Sequence, residues 1–327
     1  MTVHQYYIPL DAPAEWRQAL AGIKHSFGHT WGNCYAMHLS TGLPTYLYCY
    51  ESDDVRIVCP VAEREYGGFI DIVKPFGFSG FVGTGDDPGF YIQWKKFARQ
   101  HGYVCGFLGL NPVFNYSGTF PREEIFQYDS VYVLNLTLSM DQLFANLHRA
   151  RQRELKKRDG TNPDLVFNKP ALAAFFTENY TDFIRSKHAD SFYYFSPECL
   201  SFLMGLDSIM LVGAQISGKI VAVTVFAFTP YAADALFNIS FPEGRQYTGA
   251  INWYGVNYFK SCGIPSLNLG GGGGGVGESK RRYGCAEYPL QCVKQIYDPD
   301  GYRTLCHRNG ADPDNTSGYF PAYRKPA

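Results

Sequence analysis

Apolar residues along this chain follow two rhythms, and the switches between them mark out its elements. Trp16, Leu20 and Ile23 fall four and three residues apart, one face of a helix over 11–23 with Pro13 in its first turn. Residues 45–51 and 55–60 read as strands, and Ser52-Asp53-Asp54 between them is a hairpin signal. Helical spacing returns over 88–100 with Phe90, Trp94 and Phe97, and Gly102 stops that helix before a strand over 103–108. Residues 129–138 alternate strongly and predict a further strand.

A boundary is expected near Ser139. Ser139 and Gln142 form a capping box, and Leu143, Phe144 and Leu147 supply the buried face of the helix that follows. Beyond a loop at 159–163, the pattern predicts helices over 170–186 and 197–205. A hairpin turning at Ser217-Gly218-Lys219 then joins strands 209–216 and 220–228. A strand over 234–240, a helix over 249–262 stopped by Gly263, and a strand over 266–269 complete the half. The order is that of a mixed α/β domain, and the first half repeats it loosely, as a duplication would. The expected organisation is residues 1–138, residues 139–310, and a Pro-, Asp- and Gly-rich disordered tail over 311–327.

Composition narrows the classes. The 327 residues are 46% hydrophobic and 18% charged, an ordinary globular balance with room for two domains. The 25 Tyr and 25 Phe suit either ring-walled polar grooves or a large aromatic core. A net charge of −1 gives no general attraction for nucleic acid or anionic membrane, so any nucleic-acid contact needs a local basic patch. Asp11 and Glu15 in an opening segment without an apolar core argue against a signal peptide. The apolar run 220–228 is far below the ~20 residues of a membrane-spanning helix. A cytoplasmic protein without membrane insertion is expected. The nine cysteines contain no Cys-x-x-Cys pair, so neither a zinc site nor a disulfide framework is expected, only reduced thiols.

The segment richest in chemistry is Leu267-Asn268-Leu269, six glycines over 270–275, then Val276-Gly277-Glu278-Ser279-Lys280-Arg281-Arg282-Tyr283-Gly284. A strand that empties into glycines lets backbone approach a ligand closely, and unpaired N–H groups can cradle an anion. A flexible linker before a solvated basic turn is the plain alternative. A nucleotide P-loop is excluded, because Glu278-Ser279 stands where Lys-Ser/Thr is required.

Leu269-Gly270-Gly271-Gly272 followed by Ser279-Lys280-Arg281-Arg282-Tyr283-Gly284 resembles the LGGG…FKrrF signature of the Fem-type GNAT acyltransferases. Pro75-Phe76-Gly77-Phe78-Ser79-Gly80 is similar to their PYGYGG turn, and Leu110-Asn111-Pro112 to their HPL segment. The basic stretch 148–158 resembles their RxxIRKA helix, and Ala189-Asp190-Ser191-Phe192-Tyr193-Tyr194-Phe195 their AD-x-FYxF segment. The glycine run is longer than the family's, and Ser279 stands in place of its Phe.

The resemblance implies an α/β (α+β) fold of two tandem GNAT-like domains, each a mixed sheet flanked by helices. It implies transfer of an acyl or aminoacyl group from acyl-CoA or aminoacyl-tRNA, as co-substrate, to a small amine acceptor, without metal or tightly bound cofactor. Lys280 is the candidate for the oxyanion or a donor phosphate. His188, Asp190 and Tyr193 are the candidates for proton transfer. Gly270, Gly271, Gly272 and Arg281 would bind the donor. Gln246-Tyr247-Thr248-Gly249 partly matches the pyrophosphate turn of CoA-binding GNATs, with Ile251 in place of its last small residue. Residues 148–158 carry six Lys/Arg against Glu154, either a solvated face or phosphate contacts through Arg149 and Arg153. Phe78 would face the acceptor. A catalytically inactive acceptor-binding protein of the same fold is the competing expectation.

Overall fold

The computed structural model describes residues 3–53, 55–114, 116, 119–158, 164–315 and 318–325. Among these, thirteen strands follow in chain order: β1 Val3–Pro9, β2 Thr45–Ser52, β3 Val55–Tyr66, β4 Phe69–Val73, β5 Val82–Gly83, β6 Tyr103–Leu110, β7 Ile125–Asn135, β8 Asp164–Val166, β9 Ile209–Ile216, β10 Lys219–Phe228, β11 Ala233–Ser240, β12 Ser266–Gly271 and β13 Ala286–Ile296. The helices are α1 Pro13–Leu20, α2 Trp31–Thr41, α3 Phe90–Gln100, α4 Met140–Asn146, α5 Arg149–Arg158, α6 Lys169–Ser186, α7 Pro197–Gly205, α8 Thr248–Ser261, α9 Gly274–Arg281 and α10 Pro299–Arg308. None is long and apolar enough to cross a membrane.

The chain divides into two compact units, Met1–Tyr128 with Pro289–Ala327, and Asp129–Tyr288. In the first, the strand order is β1-β2-β3-β4-β6-β13, with β5 beside β3. All neighbours are antiparallel except β4 and β6. In the second, the order is β8-β9-β10-β11-β12-β7, again antiparallel except for β11 and β12. One plan therefore occurs twice: four antiparallel strands, one parallel step, one closing antiparallel strand. In each unit the closing strand lies far off in sequence, since β13 follows every strand of the second unit and β7 precedes its other strands. That exchange moves the division from Ser139 to Asp129 and returns 289–327 to the first unit. Ser139 does start a helix, with the full capping box at α4.

The expected disordered tail is also corrected. Phe320, Ala322 and Tyr323 are buried against Tyr302, Leu305 and Cys306 of α10. The Tyr323 hydroxyl donates to Asp71 Oδ2 at 2.7 Å, and Arg324 Nε donates to the same oxygen at 2.6 Å. Proline and charge dominate the composition there, yet three apolar side chains suffice to anchor the segment.

Local chemistry explains the hairpin and the missed helix. Ser217 (φ 49) and Gly218 (φ 79) both adopt positive φ, the type I′ geometry whose twist matches the strands it joins. Helix α2 went unread because its buried face, Asn33, Cys34, Ala36 and Met37, is small and partly polar. Its ends are clear in hindsight: the Thr30 hydroxyl accepts from Asn33 N at 3.3 Å, and Gly42 (φ 68) is the left-handed cap. Much of the aromatic content is core. Tyr48, Phe81, Phe90, Trp94 and Phe97 pack together in the first unit, with Tyr48 and Trp94 edge-on at 4.7 Å. The second unit's core gathers Leu134, Leu143, Ile251, Val256, Phe259 and Leu267. All nine thiols are free; Cys262 is exposed and Cys285 half-buried, and the other seven are buried.

Candidate functional site

The parallel ladder between β11 and β12 ends at Asp234 and Asn268. Past that point β12 turns. Gly270 takes φ +80, and its N–H is held by Asn268 Oδ1 at 2.8 Å. Pairing with β7 is irregular between Asn268 and Gly271. Gly272 takes φ +127, open to glycine and strained for any L side chain. The glycine run then becomes the first turn of α9, so strand, turn and helix form one ordered structure where a linker was the alternative.

Lys280, in the last turn of α9, reaches back so that its Nζ donates to the carbonyl of Gly271. Burial pushes the Lys280 pKa down to about 8, against the opposing influence of Cys285 and Asp129. Asp129 lies over the glycine turn: a Cβ on Gly271 would come within 3.1 Å of its Oδ2 and 3.0 Å of the Ser130 carbonyl. The Tyr193 hydroxyl is raised above its ordinary pKa, by burial first and then by the Asp129 and Asp190 carboxylates. Gly271, Lys280, Asp129, Tyr193 and Asp190 therefore share one neighbourhood. Asp129 was missed in the sequence, where it is only the polar first residue of an alternating strand. His188 has φ +50 and is exposed.

A side chain at Gly271 would have to displace the Ser130 carbonyl and the Asp129 carboxylate. Gly271→Val is expected to weaken donor binding about 10- to 100-fold, the equivalent of about 1–3 kcal/mol of overpacking. Titration of donor against a variant with native circular dichroism checks this, and unchanged affinity would remove the turn from the site.

The other donor candidates are placed less favourably. Gly249 is buried in the first turn of α8, where a Cβ would meet Glu154 Oε1 at 2.3 Å and Arg151 Nη1 at 2.6 Å. These two α5 side chains form an ion pair of 2.5 Å directly over the helix N-terminus. Arg151 also lies 4.6 Å from the centroid of the buried Tyr283 ring, and His148 N donates to Arg282 O at 2.9 Å. A pyrophosphate at Gly249 would have to displace a carboxylate. Gln246 is exposed and donates to Glu243 O at 3.2 Å. Arg281 pairs with Glu287 at 2.9 Å and lies 5.2 Å from the Tyr132 ring centroid. Arg149 and Arg153 are exposed on α5, with no ion-pair partner among the described residues.

Phe78 belongs to the first unit, in a turn whose carbonyls are taken by side chains from around it. Asn33 Nδ2 donates to Phe76 O at 2.8 Å, Lys74 Nζ to Gly77 O at 2.8 Å, and Asn111 Nδ2 to Phe78 O at 2.8 Å. His29 Nε2 bonds Gly80 O at 3.1 Å; burial and the neighbouring His25 push its pKa down to about 3, so the ring is neutral. Gly80 (φ +137) admits no Cβ, which would fall 2.1 Å from Gly109 O. Burial likewise pushes Lys74 down to about 8. Lys74 was overlooked in the sequence because it precedes the turn motif.

No protein-family model matches the sequence, and no curated protein matches it. Solved structures do match. FemX superposes with a TM-score of 0.71 at 9% identity, over 92% of this chain and 99% of its own. A conserved Bacteroides thetaiotaomicron protein of unknown function gives 0.59 at 12% identity, over 90% and 100%. The C-terminal domain of a candidate lysylphosphatidylglycerol synthetase from Agrobacterium fabrum gives 0.56 at 13%, over 87% and 91%. The chain shares its fold with FemX.

Proposed function

We propose that this protein is an N-acyltransferase that moves an acyl or aminoacyl group from an activated carrier to an amine by direct attack. The observation that carries the reading is Lys280: a cation whose charge is kept labile by burial, seated on a glycine turn beside Asp129 and Tyr193. The acceptor nitrogen bonds to the donor carbonyl, the carbonyl electrons move onto oxygen, and the Lys280 ammonium stabilises that oxyanion. Collapse breaks the bond to the carrier. The proton lost by the amine passes through Asp129 to the departing carrier atom, so atoms and charge balance without a covalent enzyme intermediate. Asp190 and Tyr193 line the path of the amine. His188 is kept only as a further candidate for the proton.

Between the two donors, aminoacyl-tRNA is favoured by α5. Its Arg151–Glu154 pair covers the α8 N-terminus that would hold CoA pyrophosphate, while Arg149 and Arg153 face outward as phosphate contacts. A ligand that binds only the folded state raises its melting temperature. Charged tRNA is expected to raise Tm, and acetyl-CoA to leave it unchanged. Arg149→Ala and Arg153→Ala should each weaken tRNA binding, more strongly at low salt. Stabilisation by acetyl-CoA, with both arginine variants behaving as wild type, would return the donor to acyl-CoA and leave α5 a solvated face.

A further inference from the structure

We propose that Asp234 is a positioning residue for this site: its buried carboxylate fixes the amide of Asn268, and that amide holds the strand end to which the Lys280 ammonium bonds. The proposal rests on the assignment of Lys280 above, but its geometry is independent of any substrate. Asp234 lies on β11 and Asn268 on β12, opposite one another at the last rung of the parallel ladder. Both are buried. Asn268 Nδ2 donates to Asp234 Oδ1 at 3.1 Å, and Asn268 Oδ1 accepts from Gly270 N at 2.8 Å. Among the described residues no other side chain is bonded to Asp234.

The order of these bonds is forced. A carboxylate only accepts, so it draws the NH2 end of the amide and turns the oxygen toward Gly270. With the amide reversed, an N–H would face an N–H, and the φ +80 turn would lose its brace. The same turn directs the Gly271 carbonyl at Lys280 Nζ. Burying an acid without a cation is costly, and burial pushes the Asp234 pKa up to about 7. An apolar residue at this core position would avoid that cost, but it would leave the Asn268 NH2 without its acceptor and only the Gly270 N–H to hold the amide. The carboxylate therefore contributes orientation rather than stability.

The test follows Lys280 itself. Lysines of the full chain are reductively methylated with ¹³C and titrated by NMR, the Lys280 signal being assigned by its absence in Lys280→Arg. In the wild type it should titrate near 8. Asn268→Ala should release the turn and move that midpoint up by about one pH unit or more, toward the ordinary 10.5. Asn268→Asp, which sets two acids against each other, should do the same or fail to fold. The exchanged pair Asp234→Asn with Asn268→Asp rebuilds both bonds with the roles swapped, and should restore the fold and the midpoint near 8. A midpoint that stays near 8 in Asn268→Ala or Asn268→Asp overturns the proposal, and so does an exchanged pair that restores nothing. Because the readout needs no substrate, a chain that proves not to be an acyltransferase would leave this result standing.

Discussion

Lys280→Ala is expected to lower turnover about 100-fold while donor affinity stays within a factor of about two. The size follows from losing one charged donor to an oxyanion in a partly desolvated site, about 3 kcal/mol of transition-state stabilisation. The split between turnover and affinity follows from timing, since the full negative charge exists only after the amine has attacked. Burial sets the pH range. A Lys280 pKa near 8 means the ammonium is lost as pH rises through 8, so the wild-type rate should fall on that limb and the alanine variant should lack it. Stability runs the other way. The folded-state pKa lies below the ordinary 10.5, so the unfolded chain binds the extra proton between the two values, and stability rises with pH there. A rate that falls at high pH while stability climbs separates catalysis from unfolding. If the lysine instead neutralises a donor phosphate, affinity falls and turnover at saturating donor survives. Wild-type turnover and affinity together would remove Lys280 from the chemistry.

The sequence made this site half legible, for a physical reason. Gly270, Gly271, Gly272 and Lys280 fall in one short stretch of sequence, and a glycine run leaving a strand states its backbone requirement residue by residue. Asp129 and Asp234 reach the same turn only through strand pairing, across β7–β12 and β11–β12. Nothing in their own neighbourhoods announces them. The reading of Gly249 shows the reverse case. Its local pattern fits an anion site, but α5 folds back over the helix start and fills it with Glu154, a contact that no helix-start motif encodes. The fold was legible where periods were clean, as in α3 with Phe90, Trp94 and Phe97. It was lost where a strand is half polar, as in β1, or pairs at long range, as in β13.

The most damaging substitution for the first unit should be Asp71→Ala, at about 3–5 kcal/mol of unfolding free energy. Asp71, on β4, is fully buried and receives Arg64 at 2.6 Å, Arg324 at 2.6 Å and the Tyr323 hydroxyl at 2.7 Å. Its partners' side chains are 22% and 18% exposed, so neither ion pair is screened like a surface contact. Removing the carboxylate leaves two guanidinium groups facing one another with a phenol that has lost its acceptor, which is why breaking such a cluster costs more than forming it returns. Arg324→Ala removes one cation but keeps Arg64 on the carboxylate, and should cost about half as much or less. Urea unfolding of both variants, together with a chain ending at residue 310, checks the assignment of the last residues to this unit. The shortened chain should lose at least as much stability as Arg324→Ala, since it also strips Phe320 and Tyr323 from α10. If Asp71→Ala costs under about 1 kcal/mol, the cluster behaves as an exposed ion pair. The last residues would then be dispensable to the unit, as their composition first suggested.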